Sequence, residues 1–214
     1  MGRMVAGGGW AVEVEPERVA GWFDRFAARH GGIAGVVSDP AEVVVTAADG
    51  ATATCAVPFP PLTGEGVDAL VAHLLVPCRI GLLLVRLGGH SVGIAVDGAV
   101  VVSRTDRRQV HGRSAAGGWS QQRFARRREG QVRQALQAAA EDSLSVLGPQ
   151  VSSLDGVMLG GDQHALDTLR ADRRLAPVFA LAAPRVLDVP DPRRAVLDDA
   201  AARARAVEIV VREG

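Results

Sequence analysis

Between Val110 and Gln131 the sequence reads VHGRSAAGGWSQQRFARRREGQ, the stretch in which reactive and adaptable residue types are most concentrated. Gly117 and Gly118 allow backbone shapes closed to other residues and let the chain come close to a ligand. A ring, Trp119, a hydroxyl, Ser120, and two primary amides, Gln121 and Gln122, follow at once. His111 is the only conventional proton-transfer group nearby and no carboxylate lies within reach, so chemistry done here would rest on positioning rather than on proton transfer from an acid.

The residues after the amides add charge. From Arg104 to Arg133 there are nine Arg (104, 107, 108, 113, 123, 126, 127, 128 and 133) against Asp106 and Glu129, a local excess of seven positive charges in a chain whose formal net charge is zero. Arg123, Arg126 and Arg127 stand three and four apart and share one face of a helix, while Phe124 and Val132 lie towards the sheet side. Guanidinium groups grip phosphate at two points, and a helix N-terminus adds its own positive end. The pattern suits a polyanion held at one place, with acidic surface elsewhere limiting stray association.

Several elements must position this segment. A three-strand meander is predicted before it, over Arg79 to Leu87, Ser91 to Val96 and Ala99 to Arg104, with Gly88-Gly89 and Asp97-Gly98 at the turns. A long helix follows, with Ser120 as N-cap, running to about Leu147 before Gly148-Pro149 stops it. Strand and helix then alternate: a strand at Gly156 to Leu159, a helix from Gln163, a strand at Arg185 to Val189, a helix over Pro192 to Ala204 and a last strand at Val207 to Val211. The expected fold class is α/β, a mixed sheet flanked by helices, preceded by a small α/β N-terminal unit. We set the units at 1–76 and 77–214, the second holding the functional loop at 105–122. In the first, a helix over Pro16 to Arg29 carries Val19, Trp22, Phe23 and Phe26 at helical spacing, and a hairpin pairs Glu42 to Ala47 with Ala51 to Val57 about Asp49-Gly50. Trp10 and Trp22 are assigned to its core.

Composition narrows the class. At 214 residues and 48% apolar the chain can bury a real core. No apolar run approaches the roughly 18 to 20 residues of a membrane span, and the first residues lack a signal peptide's apolar stretch, which points to the cytoplasm and away from membranes. Cys55 and Cys78 show no ligand spacing, so neither metal nor cofactor is expected. Every basic residue is Arg, and Lys, Asn and Tyr are absent, as a GC-rich genome would produce without functional demand. His30, His73, His90 and His164 are scattered and read as structural or surface residues. Gly88-Gly89 and Gly160-Gly161 fit neither GxGxxG nor GxxxxGK[ST], so they read as turns.

The segment resembles the middle domain of archaeal and eukaryotic class I translation release factors, whose loop reads HGRGGQSALRFARLR. His111, Gly112 and Arg113 match its start, Gly117 and Gly118 its glycine pair, Ser120 its serine, and Arg123, Phe124, Ala125, Arg126 and Arg128 its helix. Ser114-Ala115-Ala116 is inserted, and Trp119 stands where that family has its catalytic glutamine, with Gln121 and Gln122 following. In this respect the chain is similar to the actinobacterial branch of the Vms-like release factors, which also use a glutamine in this loop.

The resemblance implies a peptidyl-tRNA hydrolase that frees nascent chains from stalled ribosomes. Its catalytic group would comprise Gln121, Gln122, Gly117 and Gly118. tRNA and ribosomal RNA would be bound by His111, Arg113, Trp119, Ser120, Arg123, Arg126, Arg127 and Arg128, with Arg107 and Arg108. The implied partners are the large ribosomal subunit and peptidyl-tRNA, not DNA. Cleavage inside the tRNA 3′ end, and a ribosome-rescue factor that binds without catalysis, are the alternatives; Trp119 at the glutamine position favours the second of them.

Overall fold

The computed structural model describes the backbone of residues 2–86, 88–107 and 120–214, and every side chain of these except 107 and 120–128. In chain order the elements are β1 (Arg3–Met4), β2 (Trp10–Val14), α1 (Val19–Arg29), β3 (Ile33–Ser38), β4 (Glu42–Ala47), β5 (Thr52–Ala56), α2 (Gly66–Leu75), β6 (Arg79–Arg86), β7 (Gly89–Val96), β8 (Ala99–Arg107), α3 (Ser120–Val146), β9 (Gly156–Gly161), α4 (Gln163–Arg170), α5 (Ala176–Ala180), β10 (Ala182–Leu187), α6 (Arg194–Arg205) and β11 (Val207–Arg212). They form a mixed α/β fold of two sheets flanked by helices, in two compact units: residues 1–77 with 202–214, and residues 78–201. Among the described residues no helix is long and apolar enough to cross a membrane.

In the first unit α1 buries Val19, Phe23 and Phe26 on one side, the face that spacings of four and three residues predict. Trp22 packs partly buried, edge-on to Phe23 at 5.1 Å and stacked on Phe26 at 5.5 Å. Trp10 departs from expectation: it begins β2 and is 53% exposed, because its neighbour Ala11 takes the inward position of the strand's alternation there. Asp49 organises the β4–β5 turn, accepting from Ala51 N at 3.0 Å and pairing with His30 Nδ1 at 2.8 Å. Cys55 lies wholly inside this core, and burial pushes its thiol up to about 12.

The last strand also lies here rather than with the second unit. The strand–helix alternation invites its placement beside β10, but β11 pairs antiparallel with β2 on one side and β5 on the other. Val207 and Ile209 are fully buried in the first core, and that burial decides the placement.

The second unit has the sheet order β10-β9-β6-β7-β8, with β10, β9 and β6 parallel and β6, β7 and β8 antiparallel. β6 reads RIGLLLVR and occupies the centre, where both faces are covered and a continuous apolar run is favoured. Leu83, Leu159 and Leu166 are among the side chains that close its core, each contributing roughly 1.5–3 kcal/mol. Asp97 and Gly98 both take positive φ, +50° and +81°, giving the tight β7–β8 turn that the Asp-Gly pair predicts.

Gly93 lets α6 approach the middle of β7. A Cβ built there would stand 2.8 Å from Leu197 Cδ2 and 2.8 Å from the Val102 carbonyl oxygen. The carbonyl belongs to the β7–β8 ladder and cannot retreat. Gly93→Ala is therefore expected to lower unfolding stability by about 1–3 kcal/mol, read by urea denaturation. An unchanged midpoint would contradict this.

Candidate functional site

The segment singled out by sequence is held between β8 and α3. β7 pairs with β8 to its end, Gly89 opposite Arg107 and His90 opposite Asp106, so the chain leaves the sheet at a fixed point. Of the residues proposed for the site, Arg107 closes β8, and Ser120, Gln121, Gln122, Arg123, Arg126, Arg127 and Arg128 lie in the first turns of α3. Arg108, His111, Arg113, Gly117, Gly118 and Trp119 lie outside the described residues. Ser120 is itself helical instead of capping, a one-residue difference of the kind that helix ends show. Gln121 and Gln122 therefore fall in the first turn, where backbone N–H groups have no intrahelical acceptor.

α3 has 27 residues and a length of about 40 Å. Its sequence is an amphipathic helix of unusual make-up: buried Ala135, Ala139 and Ala140 face the sheet, and Leu136 packs beside them. Val132 is half-buried, in keeping with its assignment to the sheet side. The helix packs against β7 and β8, the two strands that lead to the segment.

Polar contacts then fix the helix in place. Asp142 of α3 accepts from His90 Nε2 of β7 at 2.9 Å through one oxygen, and from Arg104 of β8 at 3.1 Å through the other. His90 is only 2% exposed. Next to it Ser91 Oγ and Thr105 Oγ1 share a hydrogen bond of 2.8 Å between β7 and β8. On the other side of the helix Glu141 accepts from Arg174 at 2.8 Å, and Arg174 also grips Asp172 at 2.7 Å. These two carboxylates raise the already high Arg174 pKa further, Asp172 more than Glu141. Among the described residues no three His, Cys, Asp or Glu gather as metal ligands.

Burial alone would raise the Asp142 carboxyl, but hydrogen bonds from His90 and Arg104 outweigh it and hold it below the ordinary carboxylate range. A carboxyl lowered on folding contributes stability that is present above its unfolded pKa of about 3.9 and lost as pH falls through the folded value. Asp142→Asn is thus expected to flatten the acid limb of the stability curve below about pH 4, measured by urea titrations at stepped pH. An acid limb identical to that of the parent would show that the carboxyl does not shift.

His90, read from sequence as a structural or surface residue, is thus structural, a buried partner of a carboxylate, and Arg104, counted with the basic segment, has its charge engaged by Asp142. A signal for this existed in the sequence. Ala135, Ala139, Asp142 and Val146 recur at spacings of four, three and four, which places an acid on the apolar face of the helix.

A comparison with curated proteins gave no match. Among solved structures, an "Archaeal protein" shares 15% identity at a TM-score of 0.42, over 73% of this chain and 48% of that one. The archaeal translation termination factor aRF1 shares 13% at a TM-score of 0.44, over 91% of this chain and 66% of that one. The chain thus spans about half the length of the first and just under two thirds of the second. The model of the Actinobacteria/chloroflexi VLRF1 release factor, acVLRF1, matches residues 78–210, a range that holds the meander, the glycine pair and the whole of α3. The chain belongs to the acVLRF1 release factor family.

Proposed function

We propose that this protein is a peptidyl-tRNA hydrolase that acts on the large ribosomal subunit, in the cytoplasm, to free nascent chains from stalled ribosomes. Membership of a release-factor family gives it a role related to translation termination. The observation that carries the finer reading is the run His111-Gly112-Arg113, Gly117-Gly118, Ser120 and Arg123-Phe124-Ala125-Arg126, which opens into a long basic helix. We assign this chemistry to the second unit.

In this reading the segment enters beside the tRNA 3′ end, excludes bulk solvent and holds one water for attack on the ester carbonyl. A Gln121 or Gln122 amide, or a backbone N–H beside the glycine pair, stabilises the oxyanion as it forms. The ester bond breaks, the peptide leaves as a carboxylate, and the proton passes to the terminal ribose oxygen. Arg123, Arg126 and Arg127 bind phosphates and place the reaction rather than take part in it.

The test is single-turnover release of labelled peptide from peptidyl-tRNA on 50S subunits and 70S ribosomes. We expect release that does not depend on the A-site codon and leaves the tRNA 3′ end intact. A shortened tRNA would assign the cut to the nucleic acid instead. Trp119, where related loops carry glutamine, favours one competing reading, a factor that binds without catalysis. Tight ribosome binding with no release would establish that reading.

A further inference from the structure

The two strands and the helix that meet at the segment are held by unlike means. β8 is in register with β7 from Gly89 opposite Arg107 to Ile94 opposite Val102, so the segment's first end is fixed by backbone hydrogen bonds. On α3 the buried side chains nearest the segment are Ala135, Ala139 and Ala140, with Leu136 partly buried beside them, while Leu144 and Val146 anchor the far end of the helix. Alanines make shallow ridges, so over this stretch a small tilt about the anchored far end leaves much of the same apolar area covered. Apolar contact supplies the attraction there but little direction.

Direction comes from Asp142. Its two oxygens are engaged by donors from two different strands, His90 at 2.9 Å and Arg104 at 3.1 Å. His90 is buried, so an altered helix angle would leave its N–H without an acceptor, which an unsatisfied buried donor makes unfavourable. The neighbouring Ser91–Thr105 bond keeps the two donor strands together at the same level.

We infer that Asp142, clasped between His90 and Arg104, is a positioning residue that sets the angle of α3 and thereby the place of the segment's second end. From Asp142 to Ser120 the helix rises about 33 Å. A tilt of about 5° about the clasp would move Ser120 by about 3 Å, as the rise per residue implies. Displacements of about 1 Å from productive geometry can cost roughly 100-fold in rate. A contact far from the chemistry thus governs where the amides stand.

The activity part of the test rests on the proposed hydrolase function; the exchange part does not. Asp142→Asn in the full chain keeps the side chain's volume and removes the charge. By hydrogen–deuterium exchange, amides of residues 129–141 should exchange at least 10-fold faster while β6 and β9 keep parental rates. With saturating ribosomes the single-turnover release rate should fall by about 10- to 100-fold, and the half-saturating concentration should stay within about threefold. Arg104→Met, which spares the buried His90 contact, should shift both readouts in the same direction by at least threefold, and it decides the matter should Asp142→Asn fail to fold. Parental exchange in α3, or faster exchange there with parental release, overturns the inference. Loss of protection in β6 and β9 equal to that in α3 also overturns it, because the clasp would then be structural only. If the parent protein releases no peptide, the hydrolase reading fails, while the exchange data still decide whether Asp142 sets the helix.

Discussion

Gln121→Ala is expected to lower the rate of peptide release by about 100-fold or more, the scale on which loss of one charge-stabilising donor acts, with ribosome binding nearly unchanged. Gln122→Ala is the companion substitution. Gln121 is favoured because it stands nearer the glycine pair and at the second position of α3, still within the turn whose N–H groups point along the axis towards an incoming anion. Trp119→Ala should cost less. Each variant is measured by single-turnover release at saturating ribosomes, so that chemistry and binding separate. If both single Gln substitutions and their double leave release intact while Gly118→Ala abolishes it, the donor is a backbone amide. If all of them leave it intact, this segment does not catalyse release.

Joint replacement of Arg123, Arg126 and Arg127 by Ala acts on binding instead. Each phosphate contact releases counterions and steepens the dependence of log affinity on log salt by about 0.7 for a single strand and about 0.9 for a duplex. Loss of three contacts should therefore make the slope shallower by about 2 to 3, with the largest loss of affinity at low salt. Sedimentation of the protein with ribosomes over a salt series reads both quantities. A slope equal to that of the parent would mean that the basic face does not touch RNA and that its arginines reflect composition alone. Arg104 is left out of the triple because Asp142 already engages it.

Where a local rule acted alone, the sequence was legible. The Asp97-Gly98 turn, the meander around it and the end of α3 before Gly148-Pro149 each follow from one residue pair with a backbone preference. Three strands of the first sheet, the two-residue β1 together with β2 and β3, are not legible in the sequence. β2 alternates in WAVEV, but three glycines precede it and weaken the local signal. β3, in IAGVVS, is exposed along most of its length, so no buried face marks its period. The clasp at Asp142 was legible only in part, since the acid's place on an apolar face follows from helical spacing whereas its partners lie 52 and 38 residues away and are brought to it by the fold.

β11 lies between β2 and β5, with the other five strands of its sheet separated from it in sequence by the whole second unit. Strand pairing across so long a separation forms slowly, because the loop must close before the contact rewards it. During synthesis the second unit is therefore complete before the first sheet can close, and until then β2 and β5 present open edges. The part of the chain made first is thus the part that finishes folding last, with the β2 and β5 edges open to wrong pairing in the interval.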